Sequence, residues 1–178
     1  MATRDPGTDA GRLAPYAQDI IQAAAEQGLH PAVLAAVGLR ETWLGWAPGY
    51  APVGTHLGWG DGGHGWGLFQ ADDRSWKSWI LSPDALTPLG QARKAAAEIA
   101  ANLHLLSIAL PRQPQGVVDR AAVAAYNARL GLVANQLMAG RDPDAVTSPG
   151  PSGKPDYSAD VYTRAATLCA AGLFPPLA

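Results

Sequence analysis

Three acidic residues beside a glycine-rich segment are the residues of this sequence best suited to chemistry. Glu41 ends an apolar run, whereas Asp61 and Asp72 belong to the stretch GWGDGGHGWGLFQADD, which covers Gly58 to Asp73. We expect unlike surroundings for these carboxyl groups, because the glycine-rich stretch cannot form an ordinary helix. Two carboxyl groups in unlike environments are typical of general acid and general base catalysis. The spacing therefore predicts acid–base chemistry in a glycine-lined groove.

The segments that must position these acids are mostly helical by their apolar spacing. The pattern predicts a helix from about Gly11 to Gln27 and a second one from Pro31 to Leu44. The second helix has almost no polar residues, so we expect it to be buried on nearly all sides. Glu41 lies on a stripe of this helix that otherwise faces the core, and burial is expected to raise the pKa of its carboxyl group.

The middle of the chain interrupts this helical pattern. Residues 45–75 are rich in glycine and predict loops and turns, with a short hairpin around Trp66 to Ala71. Helices are expected again from Thr87, as N-cap, to about Leu110, from Asp119, as N-cap, to Met138, and from Tyr157 to Gly172. The Pro-, Gly- and Ser-rich residues 141–155 predict a surface loop.

Length and composition exclude several classes of protein. A chain of 178 residues fits one domain, 1–178, in which we expect residues 1–10 to be a flexible N-terminal segment. The net charge of −2 argues against a nucleic-acid partner, and no apolar run reaches the ~20 residues of a membrane span. The single cysteine, Cys169, cannot form an internal disulfide and is expected to be a buried structural thiol.

Several partial matches to cofactor and metal motifs lack features that those motifs require. Residues 58–63 match G-x-G-x-x-G, but no apolar strand precedes them and no helix follows, so a dinucleotide site is excluded. Asp61 and Asp72 have the spacing of a calcium loop, yet Trp66 occupies the position that requires glycine. The four histidines lack zinc-site spacing. We therefore expect no cofactor and no metal.

All six tryptophans lie within one stretch, between Trp43 and Trp79. Such clustering beside a glycine-rich loop predicts flat apolar walls on a groove, which suit stacking against sugar faces or other flat ligands. The alternative is that the long loop needs a small aromatic core of its own.

Five linked motifs, in this order, resemble those of goose-type lysozymes. The similarity runs from about Ala10 to Phe174, and the motifs are Gly38 to Thr42, Gly58 to Asp61, Gly65 to Ser75, Ala125 to Ala128, and Asp156-Tyr157 with Asp160-Val161. The resemblance implies a mainly α (α+β) lysozyme-like fold: a helical bundle around one buried helix, with a small β-hairpin element beside the cleft. It also implies cleavage of the β-1,4 bond between N-acetylmuramic acid and N-acetylglucosamine in peptidoglycan.

The resemblance also implies roles for individual residues. Glu41 would be the general acid, and Asp61 and Asp72 would position and activate the attacking water of an inverting hydrolase; which of the two is the main base is open. Asp73 is expected to be solvated or paired with Arg74. The residues expected to line the saccharide site are Gly65, Trp66, Gly67, Gln70, Tyr126, Asn127 and Tyr157.

Two departures from the family pattern stand near these residues. Thr42 replaces the usual serine and keeps its hydroxyl group. Arg129 stands where the family has glycine, two residues after Asn127, so the conformation of that turn and the adjoining sugar subsite are not predicted.

Three functions remain open at this stage. The first is the peptidoglycan hydrolase; the second is a lytic transglycosylase, which needs the glutamate but no water-activating aspartate and leaves 1,6-anhydro ends. The third is a non-catalytic glycan-binding module. The expected partners are glycan strands and an immunity or inhibitor protein, with a monomeric chain. The N-terminus lacks a signal-peptide pattern, so we expect synthesis in the cytoplasm and delivery to the wall as a phage endolysin or a secreted effector.

Overall fold

The computed structural model describes residues 6–150 and 153–177. This part of the chain is mostly helical and contains one small antiparallel sheet of three strands, which confirms the mainly helical α+β class. Its helices are α1 (Pro6–Leu13), α2 (Ala17–Glu26), α3 (Pro31–Thr42), α4 (Asp73–Ile80), α5 (Pro88–Ala109), α6 (Gln115–Asn127), α7 (Leu130–Met138) and α8 (Tyr157–Ala170). Its strands are β1 (Trp59–Gly60), β2 (Gly65–Trp66) and β3 (Ala71–Asp72).

The described residues separate into two compact units. The first unit contains the residues up to Ala96 together with those from Arg164 onward, and the second runs from Ala97 to Thr163. The expectation of a single domain stays a prediction. No helix in the described ranges is long and apolar enough to cross a membrane.

The first predicted helix is divided in two. A 3₁₀ turn at Ala14–Tyr16 separates α1 from α2, because Pro15 has no N–H group and its ring crowds the preceding turn of an α-helix. Residues 6–10 of the segment expected to be flexible form the start of α1, and residues 1–5 lie outside the described ranges.

The helix that carries Glu41 is buried as predicted. Every residue of α3 from Ala32 to Leu39 is buried, and His30 caps its start by accepting the backbone N–H of Ala32 through Nδ1 at 3.2 Å. The chain leaves the helix through Trp43 and Leu44, whose φ angles of 50° and 53° are left-handed. Their N–H groups donate to the carbonyls of Leu39 and Gly38, and the helix ends at Thr42, one residue after Glu41.

The glycine-rich segment contains the predicted hairpin and one further strand. In the β2–β3 hairpin Trp66 pairs with Ala71 and Gly65 with Asp72, and β1 extends the sheet by pairing Trp59 with Trp66. The next helix, α4, was not predicted. Its start lies inside the glycine-rich region, where the Asp72 carboxylate caps it by accepting the Arg74 N–H at 2.8 Å.

The later helices show one confirmed and one wrong N-cap. Thr87 Oγ1 accepts the Gly90 N–H at 3.0 Å, which confirms Thr87 as the cap of α5. Asp119 is not a cap, because α6 begins at Gln115 and Asp119 lies one turn inside it, where it accepts Gln115 Nε2 at 2.8 Å. The predicted helix to Met138 is also interrupted, since Arg129 is extended and separates α6 from α7.

The second unit has its own apolar core. α5, α6 and α7 contribute buried residues that pack together: Leu106, Leu110, Val118, Ala121, Ala122, Ala124, Ala125, Val133 and Leu137. The predicted surface loop contains a 3₁₀ turn at Pro143–Val146, and α8 starts at Tyr157 as predicted.

Candidate functional site

Glu41 lies in the last turn of α3, where its side chain is half-buried. The neighbouring Thr42 is buried, and its Oγ1 donates to the carbonyl of Leu68 at 2.8 Å and accepts the N–H of Gly45 at 2.9 Å. Leu68 belongs to the turn between β2 and β3. The hydroxyl of Thr42 therefore joins the helix end that carries Glu41 to the hairpin that leads into Asp72.

A close approach between α3 and the hairpin reinforces this connection. A Cβ atom on Gly38 would lie 2.6 Å from Leu44 Cδ2 and 3.1 Å from Phe69 Cε1. Only a residue without a side chain fits there, so Gly38 permits Phe69 to pack directly on α3. Gly38 precedes Glu41 by three residues and lies on the same face of the helix.

Asp61 and Asp72 share a cationic partner, Arg74. Both Asp72 oxygens accept from Arg74, at 2.6 Å from Nη2 and at 2.8 and 3.1 Å from Nε, and Asp61 Oδ2 lies 3.9 Å from the same Nη2. The hydrogen bonds from Arg74 lower the pKa of Asp72 despite partial burial. The Asp61 side chain is 74% exposed, against 39% for Asp72. The structure thus brings two of the predicted acids together around one guanidinium group.

Asp73, which was expected to be solvated or paired with Arg74, is 36% exposed and pairs with His64. Its Oδ1 lies 3.0 Å from His64 Nδ1, and its N–H donates to the His64 carbonyl at 2.9 Å. The hydrogen bonds of Arg74 go to Asp72 instead, because Arg74 lies in the first turn of α4 directly after the Asp72 cap. No role was predicted for His64, and Arg74 was named only as a partner of Asp73, although the Asp-x-Arg sequence at the start of α4 indicates a bond from Arg74 to Asp72.

The glycines of the hairpin are explained by packing within the protein. Gln70, which has a left-handed φ of 53°, donates from Nε2 to the carbonyls of Gly67 at 3.0 Å and Gly65 at 3.4 Å. Its amide occupies the space that a side chain on Gly60 or Gly65 would need. The expected close approach of a sugar to Gly65 and Gly67 stays a prediction, and so does a sugar contact of Gln70.

Gln91 supports the hairpin through hydrogen bonds that were not predicted from the sequence. This side chain of α5 is only 2% exposed. Its Oε1 accepts the Leu68 N–H at 2.9 Å, and its Nε2 donates to the carbonyls of His56 at 2.9 Å and Ala85 at 3.0 Å. One amide therefore satisfies three backbone groups around the hairpin, including the second polar group of Leu68.

The tryptophans divide between the two roles considered above. Trp59 and Trp66 form a tilted pair with ring centroids 5.0 Å apart, and Trp66 Nε1 donates to the Ala85 carbonyl at 2.9 Å. Trp76 packs under the ammonium group of Lys94, with Nζ 3.0 Å from the ring centroid. Trp46 is half exposed, at 50%. The stretch thus has both internal aromatic packing and indole surface available to a ligand.

The other predicted sugar contacts lie in the second unit. Asn127 Oδ1 accepts the Ser148 N–H at 2.7 Å, and Thr147 Oγ1 accepts the Tyr157 N–H at 3.3 Å. Tyr157 is 1% exposed and so has a packing role there, whereas Tyr126 is half-buried. Sugar contacts of Tyr126, Asn127 and Tyr157 stay predictions.

A buried carboxylate organises the start of α8 in this unit. Asp144 is 3% exposed and accepts the N–H groups of Ser158 at 2.7 Å and Ala159 at 3.0 Å, the Ser158 hydroxyl at 2.8 Å and Arg120 Nη2 at 3.0 Å. An acid at a helix N-terminus is stabilised by the helix dipole as well as by these bonds. The composition of residues 141–155 had instead predicted a surface loop at Asp144.

Within residues 6–150 and 153–177, no group of three His, Cys, Asp or Glu side chains could hold a metal ion. No protein-family model matches the sequence, and no curated protein matches it significantly. The resemblance to goose-type lysozymes therefore stays a prediction from the sequence motifs.

Proposed function

We propose that this protein is a peptidoglycan hydrolase that cleaves the β-1,4 bond between N-acetylmuramic acid and N-acetylglucosamine with inversion. The observation that carries this proposal is the hydrogen bond from Thr42 Oγ1 to the Leu68 carbonyl. It connects the helix end that carries Glu41 to the hairpin that carries Asp72. The two bonded residues, Thr42 and Leu68, are 26 residues apart in the sequence. Support also comes from Arg74, which gathers Asp61 and Asp72 beside that hairpin.

In the proposed reaction Glu41 donates its proton to the glycosidic oxygen as the bond to the anomeric carbon breaks. Asp72 and Asp61 hold the attacking water on the opposite face of the sugar. The lowered pKa of Asp72 keeps its carboxylate ionised at neutral pH, so that it can accept a hydrogen bond from water. The inverting mechanism needs two carboxyl groups far enough apart to admit that water molecule.

The first experiment compares the wild type with Glu41→Gln in a cell-wall turbidity assay. Loss of a general acid typically lowers the rate by about 100-fold or more, and we expect a loss of at least this size. Glu26→Gln is the matched control, because Glu26 is a surface acid that pairs with Arg93 at 2.6 Å in the same unit. Equal turbidity loss with the wild type and Glu41→Gln would refute the assignment of Glu41.

A lytic transglycosylase is the second candidate, and one observation favours it. Both oxygens of Asp72 accept hydrogen bonds from Arg74, which weakens this carboxylate as a base, and a transglycosylase does not need such a base. Mass spectrometry of digested peptidoglycan distinguishes the two reactions. Reducing ends support the hydrolase, whereas 1,6-anhydro ends support the transglycosylase.

A non-catalytic glycan-binding module is the third candidate, and the exposed indoles of Trp46 and Trp59 favour it. This module would bind insoluble peptidoglycan without releasing any fragments. Binding that Glu41→Gln leaves unchanged, together with an inactive wild type, would support the module and refute both enzymes.

A further inference from the structure

We propose that His64, oriented by Asp73, is the base that takes the proton from the attacking water. This inference rests on the proposed hydrolase and assigns the proton transfer to a residue outside the family motifs. Asp61 and Asp72 keep the task of holding the water. His64 would be a catalytic residue, and Asp73 a positioning residue that acts through it.

The geometry of the pair is that of an oriented imidazole. Asp73 Oδ1 lies 3.0 Å from His64 Nδ1, and the backbone bond from Asp73 N–H to the His64 carbonyl, at 2.9 Å, holds the two residues in register. A carboxylate can only accept, so Nδ1 carries the proton and Nε2 has a lone pair in the neutral ring. The His64 side chain is 50% exposed, and Nε2 has no hydrogen-bond partner within the described ranges.

The two aspartates are less suited to accepting a proton. Arg74 donates to both oxygens of Asp72, and those hydrogen bonds lower the pKa of its carboxyl group and so its basicity. Asp61 is mostly exposed to water and lies 3.9 Å from the same guanidinium group. Asp72 is therefore the weaker general base, whereas the His64 ring held by Asp73 has a lone pair on Nε2 that no described residue engages.

His64 also lies in the same cluster as these aspartates. Its N–H donates to the Asp61 carbonyl at 3.3 Å, and it lies near enough to Asp72 to contribute to the lowering of that pKa. The elements packed against this segment are β1, β3, α4 and the 3₁₀ turn Asp61–Gly63. Their charged side chains are those of Asp61, Asp72, Asp73, Arg74 and Lys77.

The proposed step conserves atoms and charge. The water oxygen forms a bond to the anomeric carbon while the glycosidic carbon–oxygen bond breaks and its electrons go to the leaving oxygen. Glu41 supplies the proton to that oxygen, and His64 Nε2 takes a proton from the water. Solvent then returns a proton to Glu41 and removes one from His64, so one water is consumed per bond cleaved.

The test measures hydrolysis against pH for the wild type, His64→Gln and Asp73→Asn. A base must be unprotonated, so wild-type activity should fall as the pH is lowered. We expect His64→Gln to lower kcat by about 100-fold and to remove this acidic limb, and Asp73→Asn to lower kcat by about tenfold. His104→Gln is the matched control, because His104 is exposed on α5.

A second variant separates a chemical role from a structural one. We expect added imidazole to restore part of the activity of His64→Ala, with a thermal unfolding midpoint close to that of the wild type. Unchanged kcat and pH dependence in His64→Gln would overturn the inference. It would also be overturned if kcat fell but His64→Gln kept the acidic limb and imidazole did not restore the activity of His64→Ala. Failure of the hydrolase itself is distinguishable, because the wild type would then release no reducing ends at any pH.

Discussion

The substitution Thr42→Val tests the connection between α3 and the hairpin. Valine has nearly the shape of threonine, so the change removes the hydroxyl without leaving a cavity. Two buried bonds are lost with it: the one to the Leu68 carbonyl at 2.8 Å and the one from the Gly45 N–H at 2.9 Å. Each buried group left without a partner costs about 1–3 kcal/mol, so we expect unfolding free energy to fall by about 2–4 kcal/mol.

Urea unfolding at neutral pH measures this difference. In a chain of this length the predicted loss corresponds to a fall of about 4–16 °C in the Tm of thermal unfolding, and the m-value in urea should not change. Thr42→Ser keeps the hydroxyl and removes one buried methyl group, which should cost about 1 kcal/mol. Thr55→Val is the surface control, because its hydroxyl bonds to Pro52 and Leu57 are exposed and water can replace them. A Thr42→Val protein as stable as Thr42→Ser would refute the reasoning.

Three further substitutions test other contacts. Arg74→Gln removes the donors that lower the pKa of Asp72, so carboxyl-carbon NMR should show a higher pKa for Asp72 in the variant. In the wild type this pair stabilises the fold at neutral pH, and the stabilisation is lost as the pH falls through the lowered pKa. Gly67→Ala forces a side chain into a φ of +73° and against the Gln91 amide, and should cost about 2–3 kcal/mol in urea unfolding. Asp144→Asn places an amide among four donors and should cost about 2–4 kcal/mol by the same measurement.

Matched controls exist for the last two changes. Gly49→Ala has the same left-handed strain, with φ of +86°, but no atom within 4 Å of the added carbon, so it should cost only about 1 kcal/mol. Asp142→Asn alters an acid whose side chain is 59% exposed, and the expected loss is below about 1 kcal/mol. A cost for Gly67→Ala equal to that for Gly49→Ala, or for Asp144→Asn equal to that for Asp142→Asn, would contradict the packing argument.

Patterns within one segment predicted the buried helix α3 and the start of α5, but they did not predict α4 or the breaks in the other helices. The run after Pro31 is apolar on every face, and a helix of that composition has to be buried, as α3 is. Thr87 was recognisable as a cap because a proline follows it. The N-cap predicted at Asp119 was wrong because aspartate also occurs inside helices. There Asp119 accepts a hydrogen bond from Gln115, four residues earlier.

The partners of the candidate site were less predictable than its residues. Glu41, Asp61 and Asp72 could be selected by residue type and motif, but their partners depend on backbone geometry. Arg74 pairs with Asp72, and Asp73 pairs with His64, because α4 begins at Asp73. No helix was predicted at that position. The role of Gln91 could not be predicted because its three partners are backbone groups, which no sequence motif marks.

The bonds of Gln91 have a consequence for how the first unit opens. One amide holds the N–H of Leu68 and the carbonyls of His56 and Ala85, so none of these three segments can separate without breaking the same side-chain anchor. Local opening events of this kind involve contiguous cooperative groups of residues. We expect amide hydrogen exchange in the hairpin and in the turn around Ala85 to share one opening free energy. The hairpin and its supporting loops would then loosen together, as a single foldon.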